Sequence, residues 1–173
     1  HASARSFNNA LGLPLTILNT PVDARVLVCE LGEGEPGALA RYAGLARPDI
    51  AVVTSIGRAH VGALGGLSVV RREFEDALAM LPAAAEAFVP ACEDLHFRGR
   101  LTRFSPANAR HEEGVVHFDL PDGTSWRLPV AGMHNASNAS AAIAVARAMD
   151  VGDALITRGL AAFEPADMRL AIR

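Results

Sequence analysis

The first half of the chain places two continuous apolar runs on either side of an amphipathic stretch. Residues 25–31 (RVLVCEL) and 49–56 (DIAVVTSI) are rich in β-branched side chains and are bounded by turn residues. Such runs predict β-strands that are covered on both faces. Residues 36–48 (PGALARYAGLARP) carry an apolar stripe at helical spacing, with a proline at each end. The pattern therefore predicts a strand, a helix and a parallel strand, joined by a right-handed crossover.

The following segment continues the alternation of helix and strand. Apolar residues recur at helical spacing from Leu67 to Leu81, opposite a charged face, and Pro82 closes the helix. Another apolar run at residues 87–89 predicts a third strand. These elements indicate an α/β fold with a mostly parallel sheet flanked by helices. Ligands of such sheets gather at the carboxyl ends of the strands.

Residues 98–130 have a different pattern. RLTRF, GVVHFDL and SWRLPV alternate apolar and polar positions, and PDG at residues 121–123 is typical of a hairpin turn. We therefore expect a small antiparallel β annex over about residues 98–130.

The last part of the chain is predicted to be helical. An alanine-rich segment beginning near residue 134 predicts a helix that ends near Gly152 and buries Ile143, Val145 and Met149. A second short helix is predicted over residues 153–163.

Composition narrows the range of functions. The chain has 173 residues, of which half are apolar, so we expect a single domain over residues 1–173. The net charge is −3, and acidic and basic residues are interspersed, which argues against a nucleic-acid partner. No apolar run approaches the roughly 20 residues of a membrane-spanning helix, and the N-terminus does not resemble a signal peptide. Two cysteines, Cys29 and Cys92, suggest reduced thiols in a cytoplasmic protein.

Two residues at matching strand ends are the first candidates for chemistry. Glu30 and His60 each lie at or just beyond the end of a predicted parallel strand and are followed by glycine-containing loops. A carboxylate and an imidazole that converge there could hold a divalent cation. Alternatively, Glu30 caps the helix that follows Pro36, and His60 hydrogen-bonds within its loop.

Three segments, in the same order, carry a family resemblance. SFNNALGLPLTIL, VLVCELGEGEPGALARYAGLARPDIAVVTSIGRAHVGALGG and GMHNASNASAAIAVARAM resemble the central ATP-binding domain of the Mur ligases. Within that family, the pattern is most similar to the D-alanyl-D-alanine-adding type. The similarity runs over about residues 6–169 and is thin between 90 and 124. Several ordered motifs at matching distances are more specific than any one of them.

The resemblance implies an ATP-dependent amide ligase of peptidoglycan precursor synthesis that acts through an acyl phosphate. Its implied cofactors are ATP and Mg²⁺, and its implied substrates are a UDP-linked muramoyl peptide and an amino acid or dipeptide. The implied roles are catalysis and magnesium binding for Glu30 and His60; binding of the nucleotide for His134, Asn135, Asn138 and Arg169; and binding of the UDP-linked acceptor for Asn8 and Asn9.

Each of these residues also has a purely structural interpretation. Asn135 or Ser137 could cap the alanine-rich helix, and Asn138 could be a solvated residue of its first turn. Arg169 could pair with a nearby carboxylate at the surface. The asparagine pair at residues 8–9 could cap the helix that runs through LPLTIL.

The chain departs from the family pattern in three ways. The phosphate-binding loop G-x-x-G-K-T-[TS] does not occur, so we expect the family's first strand and its phosphate cradle to be absent and ATP binding by this segment alone to be weak. The family's C-terminal Rossmann-like domain is likewise expected to be absent from this segment. We therefore expect this segment to dock to separate N- and C-terminal domains. Finally, all sixteen basic residues are arginines.

The missing lysine affects one position in particular. Arg71 falls opposite a lysine that is often carbamylated in the family, and a guanidinium does not form a carbamate. The alternatives to a ligase segment are a noncatalytic Mur-ligase-like binding or scaffold domain, and a ligase of the folylpolyglutamate or poly-amino-acid type.

Overall fold

Helices and short strands alternate along the first part of the chain, and an antiparallel sheet with two helices forms the rest. The computed structural model describes residues 1–3, 7–32, 34–57 and 66–164. Its elements are α1 (Gly12–Leu18), α2 (Ala38–Ala46), β1 (Ile50–Val52), α3 (Leu67–Ala79), β2 (Glu86–Pro90), β3 (Arg100–Phe104), β4 (Ala107–Glu112), β5 (Val115–Asp119), β6 (Ser125–Leu128), α4 (His134–Ala148) and α5 (Asp153–Ala161).

The chain divides into two compact units. The first contains the described residues of His1–Ala51, Ile56–Ala87 and Leu95–Leu101. The second contains those of Val52–Ser55, Phe88–Asp94 and Thr102–Arg173. The single domain expected from the chain length stays a prediction.

Strands β1, β2 and β3 form a three-stranded sheet in that order. Glu86 N donates to Asp49 O at 2.9 Å, and Val53 N donates to Phe88 O at 2.9 Å, so β1 and β2 run in the same direction. The central strand β2 is almost wholly buried, as its continuous apolar pattern predicts. The α/β class with parallel strands is confirmed.

RLTRF forms a strand, as predicted, but the prediction of the sheet to which this strand belongs is wrong. These residues form β3 and extend the parallel sheet instead of joining the antiparallel annex. At the end of β3, Phe104 O accepts a hydrogen bond at 2.8 Å from the N–H of Ala91, the residue that follows β2. Alternation over five residues predicts an extended conformation, but it does not specify which neighbour supplies the hydrogen bonds.

The prediction of a strand over residues 25–31 is also wrong, because these described residues form no regular strand. Only Val28 makes a β-bridge, a parallel one to Ala2. Val28 is 60% exposed, so this segment is not covered on both faces. The physical reason is that a strand needs a hydrogen-bonded ladder, and residues 1–3 supply only a short one.

Helix α2 forms where the amphipathic stripe predicts it. Leu39, Tyr42 and Ala43 are buried, and Ala38 and Tyr42 pack with Leu13 of α1. The helix begins at Ala38, two residues after Pro36, and ends at Ala46.

Strands β4, β5 and β6 form the antiparallel sheet, which confirms the annex within a narrower range. Alternate residues of β5 and β6 are buried, as the period of two predicts. The PDG turn joins these two strands. The core of this unit consists of inward-facing residues from β5, β6, α4 and α5, together with two residues of the connecting segments: Val116, Phe118, Leu120, Trp126, Leu128, Val130, Ala136, Ala139, Ile143 and Ile156.

Helix α4 ends earlier than predicted. Ile143 is fully buried, but Val145 is only partly buried and Met149 is 41% exposed. Met149 is the C-cap residue of α4, and Asp150 follows with a left-handed backbone (φ 59°), so the chain leaves the helix before Met149 can join the core.

Arg147 stabilises the end of this helix. Its guanidinium bonds Asp153 through Nε and Nη2, both at 2.8 Å, and Asp122 through Nη1 at 2.6 Å. The same group lies 5.4 Å from the centroid of the Trp126 ring, within the range of a cation–π interaction.

No helix among the described residues is long and apolar enough to cross a membrane.

Candidate active site

Asn8 and Glu30 lie together in the first unit. Asn8 Nδ2 donates to Glu30 Oε1 at 3.2 Å. The backbone beside this pair is also joined, because Gly32 N donates to Asn8 O at 2.7 Å. Glu30 N donates to another residue, the Ser3 Oγ, at 3.3 Å. The family resemblance implies different ligands for these two residues, and the structure brings their side chains together.

The alternative that Glu30 caps the helix after Pro36 is wrong. The N-cap of α2 is Gly37, and its N–H donates to both carboxylate oxygens of Glu73, at 2.9 and 2.8 Å. This role of Glu73 cannot be predicted from the sequence, because no local signal connects residues 36 positions apart. The Glu30 carboxylate is exposed and bonds the Asn8 amide instead.

Asn9 has the contacts of a helix cap. Its Oδ1 accepts hydrogen bonds from Leu11 N at 3.1 Å and Gly12 N at 2.9 Å. Its carbonyl accepts from Leu13 N at 3.0 Å, which is the first bond of α-helical spacing at this end. The N-cap residue of α1 is Leu11, whose own side chain makes no capping bond. Asn9, two residues earlier, supplies the acceptor for the first amides, as the capping alternative expects, whereas the Asn8 side chain turns to Glu30.

Three further predicted residues lie in the first turns of α4. Asn135 is buried, and its Nδ2 donates to Ala131 O at 2.7 Å. Its Oδ1 accepts from Asn138 Nδ2 at 3.4 Å. His134 and Asn138 are exposed. Asn135 thus holds the turn together, and its two neighbours face solvent.

The alternative that Asn135 or Ser137 caps this helix is wrong. Helix α4 begins at His134, its N-cap residue is Met133, and no side chain makes a capping bond. Both candidates lie inside the helix, because its first turn starts earlier than their cap preference suggests.

Gly132 is required by the geometry of the same turn. Its φ of +99° lies in the left-handed region, which residues with a side chain rarely adopt. A Cβ at this position would lie 2.6 Å from His134 Cε1 and 3.1 Å from His134 Nδ1. The glycine therefore allows the imidazole to pack against the backbone.

His60 and Arg169 lie outside the described residues, so the predicted pairing of Glu30 with His60 stays a prediction. Among the residues that are described, no group of three or more His, Cys, Asp or Glu side chains could hold a metal ion. A single accessible carboxylate still fits Mg²⁺, which proteins commonly bind through one or two carboxylates together with substrate phosphates. Glu30 meets that requirement, since among the described residues its carboxylate accepts a side-chain hydrogen bond at Oε1 and leaves Oε2 accessible.

The two cysteines are free. Cys29, next to Glu30, is partly buried, and this burial raises the pKa of its thiol against the opposing effect of a hydrogen bond with Ser3. Cys92 is exposed. The expectation of reduced thiols in a cytoplasmic protein stays a prediction.

Comparison with known proteins agrees with these motifs. The Mur ligase middle domain family matches residues 2–146. The UDP-N-acetylmuramoyl-tripeptide–D-alanyl-D-alanine ligase of Bacillus subtilis is 28% identical over 99% of this chain and 40% of its own length. The ligase of the same name from Synechocystis is 30% identical over 92% of this chain and 37% of its own length.

The fold has the same relatives. A crystal structure of MurF from Acinetobacter baumannii superposes with a TM-score of 0.88 at 27% identity, over 98% of this chain and 41% of that one. The chain thus spans about two fifths of the relatives that it matches. From its motifs, its fold and the family match over residues 2–146, the chain belongs to the Mur ligase middle domain family.

Proposed function

We propose that this chain is the central, nucleotide-binding part of an ATP-dependent amide ligase of peptidoglycan precursor synthesis. The observation that carries the proposal is the family match over residues 2–146. Two features of the structure support it. The Glu30 carboxylate, held by Asn8, is the type of ligand that Mg²⁺ binds. The turn at Gly132 places His134 at the start of α4, where the resemblance implies nucleotide binding.

The proposed reaction joins a carboxylate to an amine through an acyl phosphate. Its difficulty is charge, since a carboxylate must approach the polyanionic γ-phosphate of ATP. Bound Mg²⁺ would neutralise part of the phosphate charge. Glu30 and His60 would hold this cation, and Asn8 would keep the Glu30 carboxylate in place.

The nucleotide would bind at the start of α4. The family resemblance implies that this is where the adenine and ribose of the nucleotide bind. Exposed His134 and Asn138 would contact the nucleotide directly, Asn135 would hold the turn, and Arg169 would add a positive charge. In this proposal Asn9 supports the segment that faces the acceptor substrate.

The proposed substrates follow the names of the relatives. They are a UDP-linked muramoyl tripeptide and the dipeptide D-alanyl-D-alanine, which would place the reaction in the cytoplasm. We propose that further segments of the ligase supply the phosphate-binding loop and the site for the incoming dipeptide, and that they dock on this domain.

The test uses the protein expressed from its complete reading frame. Wild type should release phosphate from ATP only when Mg²⁺, the UDP-linked tripeptide and the dipeptide are all present, and mass spectrometry should detect the amide product. Glu30→Gln should lower the rate about a hundredfold, because the neutral amide binds a cation far less well. Glu35→Gln is the matched control, since that exposed carboxylate contacts Arg41 and should leave the rate unchanged.

A wild-type protein that neither binds MgATP nor releases phosphate would contradict the proposal and point to a noncatalytic domain. Turnover with other acceptors in a substrate panel, but not with the muramoyl tripeptide, would instead indicate a different ligase of the superfamily.

A further inference from the structure

We infer that Asn8 is a positioning residue for the Glu30 carboxylate, and that Gly32 is the position that permits this role. The inference rests on the proposed function, in which Glu30 binds the cation. It differs from the role in acceptor binding that the family resemblance implies for Asn8.

The first observation is the direct hydrogen bond. Asn8 Nδ2 donates to Glu30 Oε1 at 3.2 Å. Glu30 is otherwise exposed, and an exposed glutamate has several rotamers, so holding one of them costs side-chain entropy. A donor already in place selects one of these rotamers before the cation arrives, and it uses only one of the two carboxylate oxygens.

The second observation is the backbone contact beside that bond. Gly32 N donates to Asn8 O at 2.7 Å. A Cβ on Gly32 would lie 2.7 Å from the same oxygen and 3.1 Å from Asn8 Cγ. Any side chain at this position would therefore push Asn8 away, so the close approach of Asn8 explains why glycine occupies position 32.

The third observation separates Asn8 from its neighbour. Asn9 uses its side-chain oxygen to cap the first turn of α1. Within the part of the chain that the structure describes, Asn8 makes no such capping bond, and its side chain bonds a residue 22 positions later. The first asparagine of the pair thus serves Glu30, and the second serves the helix.

The experiment measures cation binding separately from catalysis. Mn²⁺ replaces Mg²⁺, and electron paramagnetic resonance measures its binding to the full-length protein in the presence of ATP. Asn8→Ala should weaken Mn²⁺ binding about tenfold, as is typical when the partner that orients a metal ligand is removed. The concentration of Mg²⁺ for half-maximal activity should rise similarly, and the KM for the UDP-linked acceptor should stay unchanged.

Two matched controls and a second variant complete the design. Asn19→Ala removes an exposed asparagine at the end of α1, and Gly34→Ala adds a Cβ with nothing within 4 Å, so both should bind Mn²⁺ as wild type does. Gly32→Ala should weaken binding as Asn8→Ala does. In the Glu30→Gln background, Asn8→Ala should have no further effect, because the two residues act as one unit.

The outcomes distinguish the two proposals. If wild type binds Mn²⁺ with ATP and turns over, but Asn8→Ala binds Mn²⁺ equally well and raises only the KM for the acceptor, Asn8 is a substrate contact and the inference is wrong. If wild type shows neither cation binding nor turnover, the proposed function fails and the inference fails with it. A lower melting temperature of Gly32→Ala alone would leave Asn8→Ala as the deciding variant.

Discussion

Both carboxylate oxygens of Glu73 lie within 2.9 Å of the backbone nitrogen of Gly37. Gly37 is the N-cap residue of α2, where backbone N–H groups lack partners within the helix and the helix dipole favours an anion. One side chain of α3 thus closes the start of α2. The two helices are fixed to each other at the end of the glycine-containing loop that follows Glu30.

Removing this contact should destabilise α2. Glu73→Ala should lower the free energy of unfolding by about 1 kcal/mol, since it removes both a charge at the helix dipole and a hydrogen-bond acceptor. Glu73→Gln should cost less, because the amide oxygen still accepts. Urea denaturation measures the loss, and hydrogen exchange over residues 37–46 locates it. Asp76→Ala, on the exposed face of the same helix, is the control; equal losses in both variants would contradict the capping role.

The two neighbouring asparagines should separate stability from function. Asn9→Ala should lower the free energy of unfolding by about 1 kcal/mol, because two N–H groups at the start of α1 lose their acceptor. Asn9→Ser should retain most of the stability, since serine also caps helices well. Hydrogen exchange at Leu11 and Gly12 measures the effect, and Asn8→Ala should leave exchange at both amides unchanged. Faster exchange there in Asn8→Ala would show that the two side chains share the cap.

Local periodicity predicted most of the elements. The buried stripe of α2, the buried strand β2 and the alternation of β5 and β6 each follow from residues close together in the chain. What the sequence missed depends on partners far apart: the sheet that β3 joins, and the short bridge that Val28 makes with Ala2. The local sequence pattern of a segment predicts its backbone conformation, but it does not predict which strand will pair with that segment.

The candidate site shows the same limit. The motifs identified Asn8, Glu30 and the start of α4, and the structure gives each of them defined contacts. The structure also shows two contacts that the motifs did not predict. Asn8 bonds Glu30, 22 positions away, and Glu73 accepts from Gly37, 36 positions away. Side-chain contacts at such separations leave no periodic signal in a single sequence.

Asp122 should make the stability of the second unit sensitive to acid. Hydrogen bonds from the side chain and backbone of Thr124, and then from Arg147, lower the pKa of this carboxyl from 3.8 to about 2. The ionised form is therefore favoured in the folded state. Its contribution is complete above the unfolded pKa and is lost as the pH falls through about 4 to about 2.

Urea denaturation over that pH range tests this contribution. Wild type should lose more stability between about pH 5 and about pH 2 than Asp122→Asn, which has no charge to neutralise. At neutral pH the variant should already be less stable, because its amide cannot form an ion pair with Arg147. Parallel losses in the two proteins on acidification would show that Asp122 is not the group responsible.

Gly132→Ala should impair nucleotide binding through His134. The added Cβ would lie 2.6 Å from His134 Cε1, and the φ of +99° costs a residue with a side chain about 1–2 kcal/mol. Gly123→Ala is a close control, because its φ of +83° is also left-handed but nothing lies within 4 Å of the new Cβ. Both variants should lose stability. Only Gly132→Ala should raise the KM for ATP, by about tenfold, which corresponds to a loss of about 1.4 kcal/mol of binding free energy. Thermal melting and steady-state kinetics of the full-length protein separate the two effects. A KM for ATP that rises equally in both variants would show that backbone strain, and not displacement of the imidazole, causes the change.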